Sequence, residues 1–323
     1  MITTQYANLF SGTKMQILFY TADQIHNEEW LHALHATLPD ADVRLWQAGD
    51  DAPADYALVW NPPAALLQAP RGLKAIFNLG AGVDAILKQA ALPPDLPLIR
   101  IDDGAMAIQM AEYVTYGVLH YFRQFDRYAQ QAHSGRWQPL APRDKTEFKI
   151  GILGLGVLGL RIAEALTHFG FPVQGWSRSP KQLPDVETHH GADGLKQLLA
   201  TSNVLVCILP LTDETRGLLD RDTLKQLPPR SYVINVGRGA HVVQHDLLAL
   251  IREGHLAGAM LDVFDNEPLP PQHAFWKEPR ITITPHISAI TVLAETARQI
   301  RQKIAALERG ESVAGVVDRS RGY

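Results

Sequence analysis

Six residues constrain this chain more than any others: Gly154-Leu155-Gly156-Val157-Leu158-Gly159, set directly between the apolar run Lys149-Ile150-Gly151-Ile152-Leu153 and the amphipathic stretch Leu160–Phe169. The run reads as a strand and the stretch as a helix, so the glycines fall in a strand-to-helix turn. Each glycine meets a separate demand there. The first permits the tight turn, the second lets a pyrophosphate approach the backbone, and the third lets helix pack on strand. A helix start also offers free N–H groups and a positive dipole end to phosphates. Alone the pattern is weak, because glycine-rich turns arise for packing and methyltransferases use related ones. Between a strand and a helix it reads as a dinucleotide site, with Gly154, Gly156, Val157, Leu158 and Gly159 as its candidate residues.

The rest of the chain supplies the sheet that such a turn requires. Short β-rich runs alternate with amphipathic stretches almost throughout, the pattern of parallel sheets with crossover helices. A first series of strands is expected at Ile17–Tyr20, Val43–Trp46, Tyr56–Trp60, Ala75–Asn78 and Leu98–Ile101. A second is expected at Lys149–Leu153, Val173–Trp176, Val204–Leu209, Tyr232–Asn235, Ala257–Leu261 and Ile281–Thr284. Between them the spacing predicts one long helix, Ile108 to Ala132, with apolar or aromatic residues on most sides; such a helix is buried in a core or a subunit interface. A last helix is expected over Ser288–Glu308, returning to the first domain. At 323 residues the chain is long for one domain. The expected fold is therefore α/β, with two Rossmann-like, doubly wound domains, each on a parallel sheet, and the active site in the cleft between them.

The strand after the glycines bears on which dinucleotide binds. An NAD-binding unit places an acid there, roughly 20 residues past the glycines, to hold the ribose 2′-OH. Here Val173-Gln174-Gly175-Trp176 continues as Ser177-Arg178-Ser179, with no carboxylate to repel a 2′-phosphate. Arg178 can pair with that phosphate through its planar fork, while Ser177 and Ser179 can donate hydrogen bonds. The plainer reading is a solvated arginine in a turn. The missing acid favours NADPH, with NADH the weaker cofactor.

Three more motifs end strands of the second series, where open α/β sheets bind ligands: Asn235-Val236-Gly237-Arg238-Gly239, then Asp262-Val263-Phe264-Asp265-Asn266-Glu267-Pro268, then Thr284-Pro285-His286. Taken with the glycine turn, this ordered set resembles the D-2-hydroxyacid dehydrogenase family, from about Met15 to Tyr323. Trp176-Ser177-Arg178, Asp262-Val263-Phe264, Glu267-Pro268-Leu269-Pro270-Pro271 and Val317-Asp318-Arg319-Ser320-Arg321-Gly322-Tyr323 bring it closest to the glyoxylate/hydroxypyruvate reductase A group. The resemblance implies NADPH-dependent reduction of a small 2-keto acid, with Arg238, Glu267 and His286 as catalytic residues. Hydride transfer leaves negative charge on the keto oxygen, and His286 would supply the proton, since imidazole titrates near neutral pH. Glu267 would orient the ring and favour its charged form. Arg238 would hold the substrate and polarise its carbonyl. Pro210 and Asp262 are implied as further cofactor neighbours. Alone, Arg238 reads equally as a structural ion-pair partner, Glu267 as a turn residue and His286 as a satisfied histidine; together, at matched motif positions, they point to one site.

The family also uses a glycine-rich loop to hold the substrate carboxylate, and Asn78-Leu79-Gly80-Ala81-Gly82-Val83-Asp84 matches it, with Ala81 and Gly82 as candidates. Trp60 is a candidate for narrowing the pocket, as is Trp137, though tryptophans more often pack. Met106 is a candidate neighbour of the nicotinamide; the segment Asp103–Glu112 departs from the usual family wording. The implied division is a substrate-binding domain, 1–106 completed by 287–323, and a dinucleotide-binding domain, 107–286. Residues 1–14 read as a disordered extension, or the chain starts at Met15. A homodimer built partly on Ile108–Ala132 is expected. Two rival readings are a nucleotide-sensing binding protein on this fold and a dehydrogenase for another substrate. Turnover of any 2-keto acid would exclude the first.

Composition narrows the remaining classes. A formal net charge of −4 provides no basic field for nucleic acid or an anionic membrane, and the arginines near Arg319 are too few to change that. No apolar run approaches the roughly 18 residues of a membrane span, and the polar N-terminus lacks a signal-peptide pattern. The single cysteine, Cys207, cannot form an internal disulfide and sits in an apolar run, which reads as a core position in a protein of the cytoplasm. His241 and His245 have the spacing of a zinc-binding helix but straddle a strand-to-helix turn without a convincing third ligand, so no metal site is expected. His189-His190 reads as part of an exposed polar loop.

Overall fold

The computed structural model describes residues 14–68 and 72–323. The expectation for residues 1–14 therefore lies, apart from Lys14, outside the described residues. The chain divides into two compact units, residues 1–105 with 291–323, and residues 106–290.

The first unit carries a parallel sheet of strands β1 (Met15–Thr21), β2 (Ala41–Leu45), β3 (Tyr56–Trp60), β4 (Ala75–Asn78) and β5 (Leu98–Arg100), in the order β2-β1-β3-β4-β5. This is one of the two common doubly wound orders, which bind ligands beyond the strands' carboxyl ends. The central strands are continuous apolar runs because both their faces are covered: Tyr56 to Val59 and Ala75 to Asn78 are all buried. The helix Leu293–Glu308 packs against the helix Asn27–Thr37 and returns the chain to this unit. Buried Lys303 on that helix meets Asp102 Oδ2 at 2.7 Å and donates to the carbonyls of Arg100 and Ala314 at 3.0 and 2.7 Å. The tail then bonds along β5, with Val317 N donating to Leu98 O at 2.8 Å and Arg100 N to Gly315 O at 2.9 Å. An edge strand is thereby covered.

The second unit carries strands β6 (Ile150–Leu153), β7 (Val173–Ser177), β8 (Val186–His190), β9 (Val204–Cys207), β10 (Ser231–Asn235), β11 (Leu256–Leu261) and β12 (Ile281–Ile283), in the order β12-β11-β10-β9-β6-β7-β8. Every pairing is parallel. The order reverses between β6 and β9, and at such a switch point the crossover helices part to opposite faces and leave a crevice at the strand ends. Cys207 is a buried residue of β9. Helix Met106–Phe122 lays Met110, Val114, Val118, Tyr121 and Phe122 into this unit's core beside Ile234 and Met260. Gly117 allows the approach: a Cβ there would lie 2.8 Å from Met260 Sδ.

Three elements differ from the sequence-based expectation. The long helix is two, Met106–Phe122 and Phe125–His133, separated by Gln124 at φ 60°. Gln124 is buried there, and its amide donates to Ala141 O at 2.8 Å and accepts from Arg127 Nη1 at 2.7 Å. Tertiary bonds to that side chain hold a left-handed turn that composition does not announce. His189 and His190 are not in a loop but in edge strand β8, where the His189 side chain is largely buried and its Nε2 lies 3.2 Å from Gln174 Oε1. The last helix starts at Leu293, not Ser288; the amides of Ile287 and Ser288 donate to Asp262 in the second unit.

Candidate active site

The glycine turn lies where the second sheet's order reverses. Gly154 follows β6 at φ 110°, and a Cβ on it would come within 2.8 Å of Ile208 O, just past β9. A Cβ on Gly159 would sit 1.9 Å from Gly154 O, so helix Val157–His168 closes on the turn only because residue 159 has none. Gly156 differs. It is exposed, its φ of −77° suits any residue, and a Cβ there would meet no protein atom within 4 Å. The space above Gly156 is open while the first-turn N–H groups of Val157, Leu158 and Gly159 have no carbonyl one turn earlier in the helix. That cradle fits a phosphorylated ligand. Pro210 stands across the switch point, after β9, where its carbonyl accepts from Thr215 Oγ1 at 2.7 Å and lies 3.3 Å from His241 Nε2.

Beyond β7, Arg178 and Ser179 are exposed, and residues 177–181 contain no carboxylate. Ser177 is buried, and its hydroxyl donates to Ser179 O at 2.8 Å, so it shapes the turn and has no proton left for a ligand. A residue that the sequence reading passed over also stands here: Lys181 Nζ donates to Leu155 O at 2.5 Å, bringing a second cation beside the glycine turn. Its signal was available, as a lysine three residues past Arg178 in a stretch, 177–181, without acids.

Further along the same sheet edge, the turn after β10 holds Arg238. Asn235 Nδ2 donates to Arg238 O at 2.9 Å, and Arg238 N donates to His241 Nδ1 at 3.0 Å. His241 is thus a fully buried turn residue, whereas His245 is exposed. A Cβ on Gly239 would meet Phe264 C at 1.9 Å, so glycine there lets the Arg238 turn close on the segment after β11. That segment presents Glu267, whose Oε1 accepts from Phe264 N at 2.8 Å and whose Oε2 lies 2.8 Å from His286 Nδ1. Burial opposes ionisation of Glu267, but the His286 hydrogen bond, the Phe264 N–H and the nearby His286 and Arg238 charges outweigh it. Its pKa is lowered below the ordinary glutamate value. A carboxylate only accepts, so Nδ1 carries the proton in this pair and Nε2 is left to exchange one.

His286 holds a left-handed backbone, φ 56°, a conformation costing a non-glycine residue about 1–3 kcal/mol. The brace is Asp262, whose side chain is fully buried. Its Oδ1 accepts from Thr284 Oγ1 at 2.6 Å and Ile287 N at 2.8 Å, its Oδ2 from Ser288 N at 2.8 Å, and its backbone carbonyl from His286 N at 2.9 Å. Read from sequence as a cofactor neighbour, Asp262 is a structural anchor for the histidine turn.

In the first unit, Asn78 Nδ2 donates to Gly80 O at 2.8 Å and to Gly82 O at 3.0 Å. Drawing those carbonyls inward turns the opposite ends of the same planar peptides, the N–H groups of Ala81 and Val83, outward. Trp60 packs beneath this loop, and a Cβ on Gly80 would lie 2.5 Å from its ring. Trp137 packs on nothing in its own unit, being 98% exposed, whereas Met106 is buried at its helix start.

Residues 116–288 match the family model described as D-isomer specific 2-hydroxyacid dehydrogenase, NAD binding domain. Glyoxylate/hydroxypyruvate reductase A of Serratia proteamaculans is 50% identical over 314 residues, 96% of this chain and 100% of that protein. Among solved structures, a D-isomer specific 2-hydroxyacid dehydrogenase from Xanthobacter autotrophicus Py2, in complex with NADPH and MES, is 41% identical with a TM-score of 0.92, covering 96% of this chain and 100% of that one. The NADPH-dependent glyoxylate/hydroxypyruvate reductase from Sinorhizobium meliloti, in complex with NADP and sulfate, is 35% identical with a TM-score of 0.90 and the same coverage.

The steric contrast between two glycines is open to test by thermal unfolding without ligand. Gly159→Ala is expected to destabilise the protein by about 2–3 kcal/mol through overpacking. Gly156→Ser is expected to leave stability within about 0.5 kcal/mol, serine being at least as good a helix N-cap. Equal losses from the two variants would contradict the open cradle.

Proposed function

The chain belongs to the D-isomer specific 2-hydroxyacid dehydrogenase family, and from that premise we propose that it reduces glyoxylate to glycolate and hydroxypyruvate to glycerate with NADPH. The observation that carries this reading is the 2.8 Å contact of His286 Nδ1 with Glu267 Oε2, on the same sheet edge as a glycine turn with an open cradle. NADPH, when bound, supplies the hydride that adds to the keto carbon. His286 Nε2 delivers a proton to the carbonyl oxygen, and the carbonyl becomes an alcohol, primary in glycolate and secondary in glycerate. Glu267 fixes the ring through its contact with Nδ1. Arg238 holds the substrate carboxylate or keto oxygen and draws electron density toward that oxygen. In the first unit, the outward N–H groups at Ala81 and the neighbouring Gly82–Val83 segment are proposed donors to the carboxylate, and Trp60 limits substrate size. Gly154, Gly156, Val157, Leu158, Gly159, Pro210 and Asp262 remain the proposed cofactor surroundings, with Asp262 acting through the turn it braces.

Arg178, Ser179 and Lys181 are proposed to face the 2′-phosphate. Arg178 meets it as a planar fork and Lys181 as a point charge. NADH, lacking that phosphate, binds more weakly. The proposed compartment is the cytoplasm, which suits a single buried thiol; among the described residues no helix is long and apolar enough to cross a membrane. The proposed assembly is a homodimer on the outer side of helix Met106–Phe122 and its continuation, where Ile108, Tyr116 and Phe125 are exposed. Light scattering is expected to give a dimer mass, and a monomer at micromolar protein would contradict that assembly.

Arg178→Ala is expected to raise KM for NADPH about tenfold or more while changing KM for NADH little, on the loss of one charge-assisted pair. Equal changes would remove Arg178 from the phosphate site. His286→Ala is expected to lower kcat by about 10²–10⁴-fold, and a near-normal kcat at neutral pH would overturn its role. With Glu267→Gln the charged imidazole loses its anionic partner. The alkaline fall of reductive kcat/KM should then move to lower pH, and an unmoved profile would count against the pair.

A further inference from the structure

The bonds around Asp262 continue to a residue outside the motifs. Tyr113, on helix Met106–Phe122, places its hydroxyl 2.6 Å from Thr284 Oγ1, which itself lies 2.6 Å from Asp262 Oδ1. The direction of this chain follows from counting protons. A carboxylate oxygen only accepts, so the one hydroxyl proton of Thr284 goes to Asp262, and Tyr113 must donate to Thr284. Burial holds the Tyr113 phenol above its ordinary pKa; the Thr284 bond opposes that, and the Asp262 charge adds to it. Tyr113 therefore keeps its proton throughout the working range of the enzyme.

Resting on the reading of His286 as the proton donor, we propose that Tyr113 and Thr284 are positioning residues, fixing the imidazole through the relay Tyr113 OH → Thr284 Oγ1 → Asp262. The relay has a job because the histidine turn is strained. His286 sits at φ 56°, and its ring faces Glu267 only while that backbone is held. Asp262 holds it through four groups, Thr284 Oγ1, His286 N, Ile287 N and Ser288 N. Of these, the Thr284 hydroxyl alone belongs to a side chain, and Tyr113 fixes where it points. The charged groups around the ring are Glu267, in contact with it, and Arg238, which acts on Glu267. Neither takes part in the relay, so breaking it changes geometry without removing a charge.

The test uses the full-length enzyme with NADPH and glyoxylate. Thr284→Val removes the central hydroxyl and is expected to lower kcat about tenfold, a modest share of what misplacement of a reacting group costs. KM for NADPH should stay within about twofold, as the change falls on the chemical step rather than on binding. The alkaline fall of kcat/KM should move to lower pH as the ring slips from Glu267. Thr284→Ser restores the hydroxyl and both readouts, which loss of packing alone would not predict. Tyr113→Phe shifts both in the same direction by less. A folded Thr284→Val enzyme with wild-type kcat and pH profile overturns the relay; if that variant does not fold, an unchanged Tyr113→Phe overturns it. His286→Ala separates the two readings: normal turnover there removes the proton-donor role itself, whereas a crippled His286→Ala beside unaltered relay variants removes the relay alone.

Discussion

A carboxylate taken out of water has to be met by donors on every side, and the fully buried Asp262 is met by Thr284 Oγ1, Ile287 N and Ser288 N. Leaving such a group unpaired costs several kcal/mol, so the residues after β12 must stay where the carboxylate can reach them. That requirement bends the chain through His286 in a left-handed turn and aims the ring at Glu267. One buried acid thus holds the turn that carries His286.

The remaining site follows from strand order and close approach. A parallel sheet puts all its carboxyl ends on one edge, so turns far apart in sequence, after β6, β7, β9, β10, β11 and β12, share that edge. Glycines at 154, 159 and 239 let those turns touch where any side chain would collide. Gly156 alone among the four opens onto space, and that difference separates a glycine kept for packing from one facing a ligand. Stability and function are divided residue by residue within one motif.

Strands and motifs were largely legible in the sequence. Strands of a doubly covered sheet are apolar without interruption, and the glycine turn carries its own context. What escaped was set by contacts distant in the chain. Edge strand β8, Val-Glu-Thr-His-His, has no apolar run because one side of it faces solvent. The break at Gln124 is held by its bond to Ala141, 17 residues on, and nothing in a glutamine announces a left-handed turn. Asp262 was visible as a motif residue, but its task was not, since its partners lie 22 to 26 residues away. Tyr113 stood in a helix whose aromatic residues all read as packing. Motifs name residues; tertiary hydrogen bonds assign what they do.

The measurement that tests the central claim most directly is the initial rate of glyoxylate-dependent loss of the reduced-nicotinamide absorbance, with NADPH and NADH compared at equal concentration. Fast oxidation of NADPH and slow oxidation of NADH is the predicted result, since it requires both a working proton donor and a site built for the extra phosphate. No oxidation of either, with hydroxypyruvate and pyruvate tried in turn, would contradict the reductase reading, and equal rates with both would contradict the phosphate site.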